Sequence, residues 1–304
     1  MKYLFNISFI LIFLNPLFAQ LPGSSTGSQS NVLDGVYTQE HIPNKRLVPY
    51  AHLREADVMW SHRIWRVLDL KEKMNHKLYY PLEPQNDRMC LFDVIKYGAT
   101  VESSITVYDP GIEFDDKFRN PIVGDPSSKE FKDKLEAMFG YDESKDSVDA
   151  NDDPVTDDNG DKISINFKEP YQASEIVRYV LKEDWFFDKQ RSMLDVRIIG
   201  IAPVVLAINP ESKEVVGLKK LFWLYFPECR KVFNNSFVYN PENDAQRMSF
   251  DDLFRKRDFS SFVEKESNVF DRDVGPNWTG IDALLESERI RNEIFTFEHD
   301  LWHF

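Results

Sequence analysis

Residues 193–226, MLDVRIIGIAPVVLAINPESKEVVGLKKLFWLYF, place two apolar, β-branched runs on either side of the turn-rich stretch NPESKE. Branched and aromatic side chains suit a pleated, half-buried surface, and the polar break between the runs reads as a hairpin. This is the most β-like part of the chain, and elements of helical period surround it. The expected fold class is therefore α+β.

The helical elements follow from spacing. Residues 53–66 carry Leu53, Ala56, Trp60 and Ile64 on one helical face, with Val67 continuing it. Asp69 and Glu72 are spaced as a capping box for the next turn. The stretch KLYYP reads as a short strand ended by Pro81. MCLFDVIKYG has helical spacing and closes at Gly98. Ser127 to Gly140 reads as a helix, opened by Ser127 and Glu130 and stopped by Gly140. SEIVRYVLKEDWFF, residues 174–187, reads as another. Near the end, a long amphipathic helix presents Ile281, Leu284, Leu285, Ile294, Phe297 and Leu301 as its stripe.

The chain also resembles itself. An offset of 126 lays residues 57–71 on 183–197, VLDLK over MLDVR. An offset of 159 lays 72–107 on 231–266, with Asn75, Tyr80, Glu83, Arg88, Met89 and Asp93 meeting Asn234, Tyr239, Glu242, Arg247, Met248 and Asp252. The expectation is two related α/β units, the second carrying an inserted β-hairpin. The boundaries are a signal peptide at 1–19, an extended N-terminal leader at 20–52, a first unit at 53–140, an acidic loop at 141–162, and a second unit with the hairpin and C-terminal helix at 163–304.

The first twenty residues, MKYLFNISFILIFLNPLFAQ, read as a secretory signal cleaved after Ala19. The absence of a cysteine near that point argues against a lipid anchor there. The net charge is −14, and residues 142–161 hold nine acids and one lysine. Outside that segment the chain is only mildly acidic, which argues against a nucleic-acid partner. Export permits a disulfide between Cys90 and Cys229, and the sequence leaves that pairing open.

The motifs for chemistry are weak. GSSTG in the leader lacks the strand and helix that a nucleophile elbow needs. Asp157, Asn159 and Asp161 have calcium-loop spacing, but Lys162 and Lys168 stand where glycine and a bidentate glutamate belong. Asn159–Gly160 followed by KISINF reads better as a hairpin. His299 and His303 have zinc-ligand spacing without a third ligand. No cofactor is expected and no case for an enzyme emerges; a periplasmic binding module or metal-dependent hydrolase is the alternative. EADVMWSHRIWRVLDL, residues 55–70, is different in kind. Trp60, His62, Arg63, Trp65 and Arg66 bring together the residue types that dominate protein–protein contacts. Ser61 to Arg66 have no chemical echo elsewhere in the chain, so that patch is the candidate partner-binding site.

DGVYTQEHIPNKRLVPYAHLREADVMWSHRIWRVLDLKEKMNHKLYYP (34–81) closely resembles the opening of the gliding motility proteins GldN, also called PorN. YVLKEDWFFDKQRSMLDVRIIGIAPV (179–204) looks like their central signature, and FEHDLW (297–302) like their ending. The acidic segment is where the chain departs from them. The resemblance implies a periplasmic, non-enzymatic part of the type IX secretion system. It implies assembly with an outer-membrane lipoprotein, GldK or PorK, into rings, and contact with the periplasmic region of the motor protein GldM or PorM. A ring requires self-association through two different surfaces, and the 53–66 segment and the C-terminal helix are the candidates.

Overall fold

Strand β1 (Val58–Asp69) opens the body and is followed by α1 (His76–Tyr79), α2 (Leu91–Thr100) and β2 (Val107–Tyr108). Helix α3 (Lys129–Met138) leads into a two-stranded hairpin, β3 (Gly140–Asp146) and β4 (Ser164–Pro170). Next come the long strands β5 (Ile176–Asp188) and β6 (Met193–Ile208), then β7 (Val215–Lys220) and β8 (Trp223–Tyr225). Helices α4 (Phe226–Asn235) and α5 (Phe250–Lys256), strand β9 (Phe262–Glu266), the single turn α6 (Val274–Asn277) and the long helix α7 (Ile281–Asp300) complete the chain. This computed structural model describes residues 45–301, apart from 85–87, 112–114, 126, 147–163, 209–213, 241, 244 and 270–272. The fold is α+β, as the sequence implies. No helix among the described residues is long and apolar enough to cross a membrane.

Seven strands form one antiparallel sheet in the order β2-β8-β6-β5-β1-β9, with β7 also pairing β6. Helices α2, α4 and α5 cover one face, and their apolar residues merge with Leu68, Tyr179, Leu181 and Ile201 into the main core. The opposite face carries a smaller cluster built on Trp65, Val67, Val180 and Trp223.

The structure corrects two helices. Most of 53–66 belongs to β1, and 176–187 lies in β5. Both strands lie inside the sheet and are covered on both faces: the neighbours Ile64 and Trp65, and again Val67 and Leu68, are buried on opposite sides. A doubly covered strand loses its polar/apolar alternation, so a helical spacing emerges by accident. In the stretch KLYYP, Lys77 to Tyr79 are helical and only Tyr80 is extended. Leu78 is buried and Tyr80 N–H returns to His76 O at 3.0 Å, so packing overrides the β preference of tyrosine. Asp69 and Glu72 do not form a capping box: the Asp69 carboxylate accepts from Lys71 N–H and pairs with Arg178. The cap of α3 is Ser128, not Ser127, and its hydroxyl accepts from Phe131 N–H. The strand read in KISINF appears within β4, paired with β3, so residues 141–146 are strand rather than acidic loop. The turn at Asn159–Gly160 lies outside the described residues.

Segments 159 residues apart occupy mirrored places. The buried amides Asn75 and Asn234 correspond. So do the N-caps of α2 and α5: Cys90 Sγ accepts from Asp93 N–H, and Ser249 Oγ from Asp252 N–H. Extended backwards, the same offset lays the middle of β1 on β8. In the sheet, β9 pairs β1 while β2 pairs β8, on either side of the central β5–β6 pair. The offset of 126 has no such counterpart, because 57–71 is largely one strand whereas 183–197 turns from β5 into β6. The two sequence segments thus contribute to a single sheet, each edge strand lying beside the other segment's inner strand.

The leader's described end, residues 45–52, runs extended across α4 and α5. Arg230 donates to Val48 O at 2.8 Å, Asn234 Nδ2 to Lys45 O, and Arg197 to Ala51 O. The Tyr50 ring lies 4.0 Å from the Arg230 guanidinium carbon. Arg230 also forks onto Asp251 at 2.8 and 3.1 Å, with both side chains buried.

Removing one member of a buried ion pair strands the other charge and costs about 3–5 kcal/mol, whereas partly exposed pairs contribute about 1 kcal/mol or less. Arg230→Ala is therefore expected to lower the urea midpoint sharply. Lys45→Ala, which removes a partly exposed partner of Asp252, is expected to shift it little. Equal shifts would contradict the clamp.

Candidate interaction site

The strand character of β1 splits the candidate patch. Successive side chains point to opposite faces of a strand. Trp60, His62, Ile64 and Arg66 therefore face α7, and Arg63, Trp65 and Val67 face the smaller cluster. β1 pairs with β5 along this stretch, and Ile64 to Val67 pair with β9 as well.

On the α7 side, the Trp60 ring stacks on Phe297 with centroids 4.4 Å apart. Ile64 and Val263 receive Ile290 and Ile294 of the helix. Ser287 Oγ accepts from Val263 N–H at 2.8 Å, which satisfies a backbone donor of the outer strand β9. His62 Nε2 lies 3.4 Å from Glu266 Oε2. Arg66 donates to the hydroxyl and carbonyl of Ser261, and burial pulls its pKa below the ordinary arginine value. Beside it, fully buried Glu183 meets the Arg257 guanidinium at 3.0 Å and accepts from Trp185 Nε1 at 3.1 Å.

The long helix at 281–300 is present, but its apolar stripe divides. At 100° per residue, Ile294 and Phe297 lie on the side facing the sheet, opposite Ile281, Leu284 and Leu285. Those three are exposed, as is Phe295. The sequence stripe merged an inward face with an outward one.

On the other side, Arg63 forks onto Asp184, its cross-strand neighbour, at 2.5 and 2.7 Å. That hydrogen bond raises the Arg63 pKa. Trp65 Nε1 donates to Asp116 Oδ2 at 2.6 Å. Lys182, buried at 3 % exposure, donates to Asp116 O at 2.8 Å and lies 3.3 Å from its carboxylate. Trp65 and Trp223 help to line a cleft of about 540 Å³, rimmed by Asp115, Arg119, Lys220 and Lys265. Lys220 of β7 pairs with Glu264 of β9 at 3.0 Å. Four strand spacings separate β7 from β9, about 19 Å in a flat sheet. The contact requires a strongly curled sheet, with the cleft on its inside.

All five candidates have partners within the chain, and Arg63 keeps part of its guanidinium exposed. Sequence reasoning missed their partners Asp116, Asp184, Ser261 and Glu266, and the buried charges beside them, Lys182, Glu183 and Arg257. Only the charged triplet Lys182-Glu183-Asp184 inside an apolar run signalled them. The Cys90–Cys229 disulfide is not formed. Cys90 Sγ donates to Asp93 and Cys229 Sγ to Tyr225 O, and burial raises both thiol pKa values. Among the described residues no group of three His, Cys, Asp or Glu is arranged to hold a metal. GSSTG, Asp157, Asn159, Asp161 and His303 lie outside the described residues, and His299 is exposed next to Asp300.

A curled antiparallel sheet, pinned by ion pairs and aromatic contacts on both faces and strapped by residues 45–52, defines an α+β protein built on one sheet. Residues 53–303 match the family model for gliding motility associated protein GldN, and the chain belongs to that family. It is thus a component of the gliding motility and type IX secretion machinery. No curated protein matches the chain.

Burial holds the Lys182 pKa below the ordinary lysine value, and Asp116 opposes that shift. The folded state then releases this proton at lower pH than the unfolded chain. The penalty is present at neutral pH and is relieved as pH rises from the folded pKa towards about 10.4. Asp116→Asn removes the opposing charge. It should cost about 1–3 kcal/mol at neutral pH and start the alkaline gain in stability at a lower pH. Thermal melts from about pH 7 to about pH 10 check this; superimposable profiles for the two proteins would contradict it.

Proposed function

We propose that the protein is a non-enzymatic scaffold subunit of the type IX secretion and gliding machinery. It works in the periplasm, self-associates into a ring, and binds an outer-membrane lipoprotein of the GldK/PorK kind. It also contacts the periplasmic region of a GldM/PorM-like motor protein. The observation that carries this reading is the family match over residues 53–303. The secretory pattern of MKYLFNISFILIFLNPLFAQ supports the compartment. Membrane attachment falls to the lipidated partner. The internal engagement of Trp60, Arg63, Trp65 and Arg66 supports a rigid body that transmits load rather than a pocket that turns over substrate.

Co-expression with the lipoprotein should give a stable complex, seen as ring-shaped particles by electron microscopy. A mixture that stays monodisperse, with no association between the two proteins, would overturn the proposal.

A further inference from the structure

Strand β7 pairs with β6 alone, so among the described residues one of its edges is open. A single bond sets the phase of that edge: Leu221 N–H donates to Pro203 O at 3.0 Å. Pairing continues in the same register, Lys220 against Val204, Lys219 against Val205 and Leu218 against Leu206. In an antiparallel ladder, alternate residues turn both backbone groups towards the partner strand. Lys219 therefore faces β6. Leu218 and Lys220 present N–H and C=O outwards, where no described residue meets them. An uncovered edge of this kind is a template for another extended segment.

The open edge borders the cleft inside the curled sheet. The side chains of Leu218 and Lys220 line it together with Trp65 and Trp223. Lys220 reaches Glu264 of β9, and Lys265 of β9 is bridged to Asp273, so β7 is the side left without a neighbour. At about 540 Å³ the cleft falls within the range of ligand pockets, about 300–1,000 Å³.

The acids of the cleft are already engaged. Asp115 meets Arg119 at 3.2 Å, and Asp273 meets Lys265 at 3.6 Å. Asp116 takes both Lys182 and the Trp65 indole. Two donors are not engaged. Lys117 is exposed and has no ion pair among the described residues. Trp223 is 1 % exposed and keeps a buried indole N–H without an acceptor. Buried donors are rarely left unmatched, so this one calls for an acceptor. The lining cations Lys117, Arg119, Lys220 and Lys265 outnumber the three acids by one, in a chain whose net charge is −14. The complement of such a cleft is acceptor-rich and negatively charged.

We propose that the cleft and the open edge of β7 form a docking groove for an extended acidic peptide of a partner protein, which adds to the sheet as a strand beside β7. Main-chain bonds to Leu218 and Lys220 give affinity, and side chains entering the cleft give selectivity. Leu218 and Lys220 share one face of β7, two positions apart, so the peptide carries an apolar residue and an acid two positions apart. The apolar residue packs on Leu218 and Leu206, which are 48 % and 42 % exposed. The acid enters among Lys117, Arg119 and Lys220. The groove lies within one copy, so the inference stands apart from the ring reading.

The test titrates the full chain into a fluorescein-labelled peptide, TVTITETE, and follows anisotropy. Two controls are TVTITKTK and the acidic peptide N-methylated at successive residues, which blocks strand pairing through either edge. The acidic peptide should bind saturably and weaken with added salt. Both controls should bind at least about tenfold more weakly, and Lys117→Glu should cost the acidic peptide about the same factor. Leu218→Pro removes an outward N–H while leaving the β6 ladder intact, and should abolish binding. Circular dichroism checks the fold of each variant, and Lys117 is exposed, so its variant reads the groove even where the proline disturbs folding. No saturable binding of the acidic peptide up to about 1 mM, or equal binding of either control, overturns the proposal. If the peptide does not bind while Leu218→Pro abolishes self-association of the chain, the edge belongs to a second copy and the peptide assignment is wrong.

Discussion

Two adjacent residues at the centre of the sheet carry opposite charges to opposite faces. Lys182 and Glu183 of β5 are 3 % and 0 % exposed. An isolated charge in such surroundings costs several kcal/mol, so each must draw a counter-charge from another part of the chain. Lys182 takes Asp116 from the loop over the smaller cluster, and Glu183 takes Arg257 from the end of α5. One strand thus fixes the covering layer on both of its faces. Arg257 shows how strong the demand is. It caps α5 in the left-handed region, φ 56°, where glycine is the usual occupant and a side chain costs about 1 kcal/mol. Glycine would relieve the backbone and leave Glu183 without its cation.

The parts of the fold legible in the sequence are those whose partners are near in sequence. The β6–β7 hairpin shows in its two branched runs. Helix α2 shows in its spacing, and α7 in its length. The offset of 159 was also legible, because it preserved an amide, an arginine and an acid in register. What it could not show is that the related segments interlock. The edge strand of each lies against the inner strand of the other, an arrangement set by tertiary pairing that no local pattern encodes.

The candidate site was legible as a set of residue types but not as a geometry. Trp65 meets Asp116 across 51 residues, Arg63 meets Asp184 across 121, Arg66 meets Ser261 across 195 and His62 meets Glu266 across 204. Tryptophan and arginine dominate interfaces because they combine apolar area with directed donors. Those same properties serve a strand that is packed on both faces, and only the structure distinguishes the two uses. The helical reading of 53–66 added to the error. It placed Trp60 and Val67 on one side of a helix, whereas β1 sends them to opposite faces of the sheet.

The strap across α4 and α5 shows a different relation between sequence and structure. Arg197, Arg230 and Asn234 hold it through the carbonyls of Ala51, Val48 and Lys45. Every residue has a carbonyl, so this recognition constrains the path of the strap far more than its side chains. Tyr50, with its ring beside the Arg230 and Arg197 guanidinium groups, and Lys45, paired with Asp252, are the exceptions. Of the polar groups that meet the strap, Arg230, Asn234 and Asp251 are buried. Lifting the strap would leave Arg230 and Asn234 short of acceptors, so residues 45–51 belong to the fold as firmly as the helices they cross.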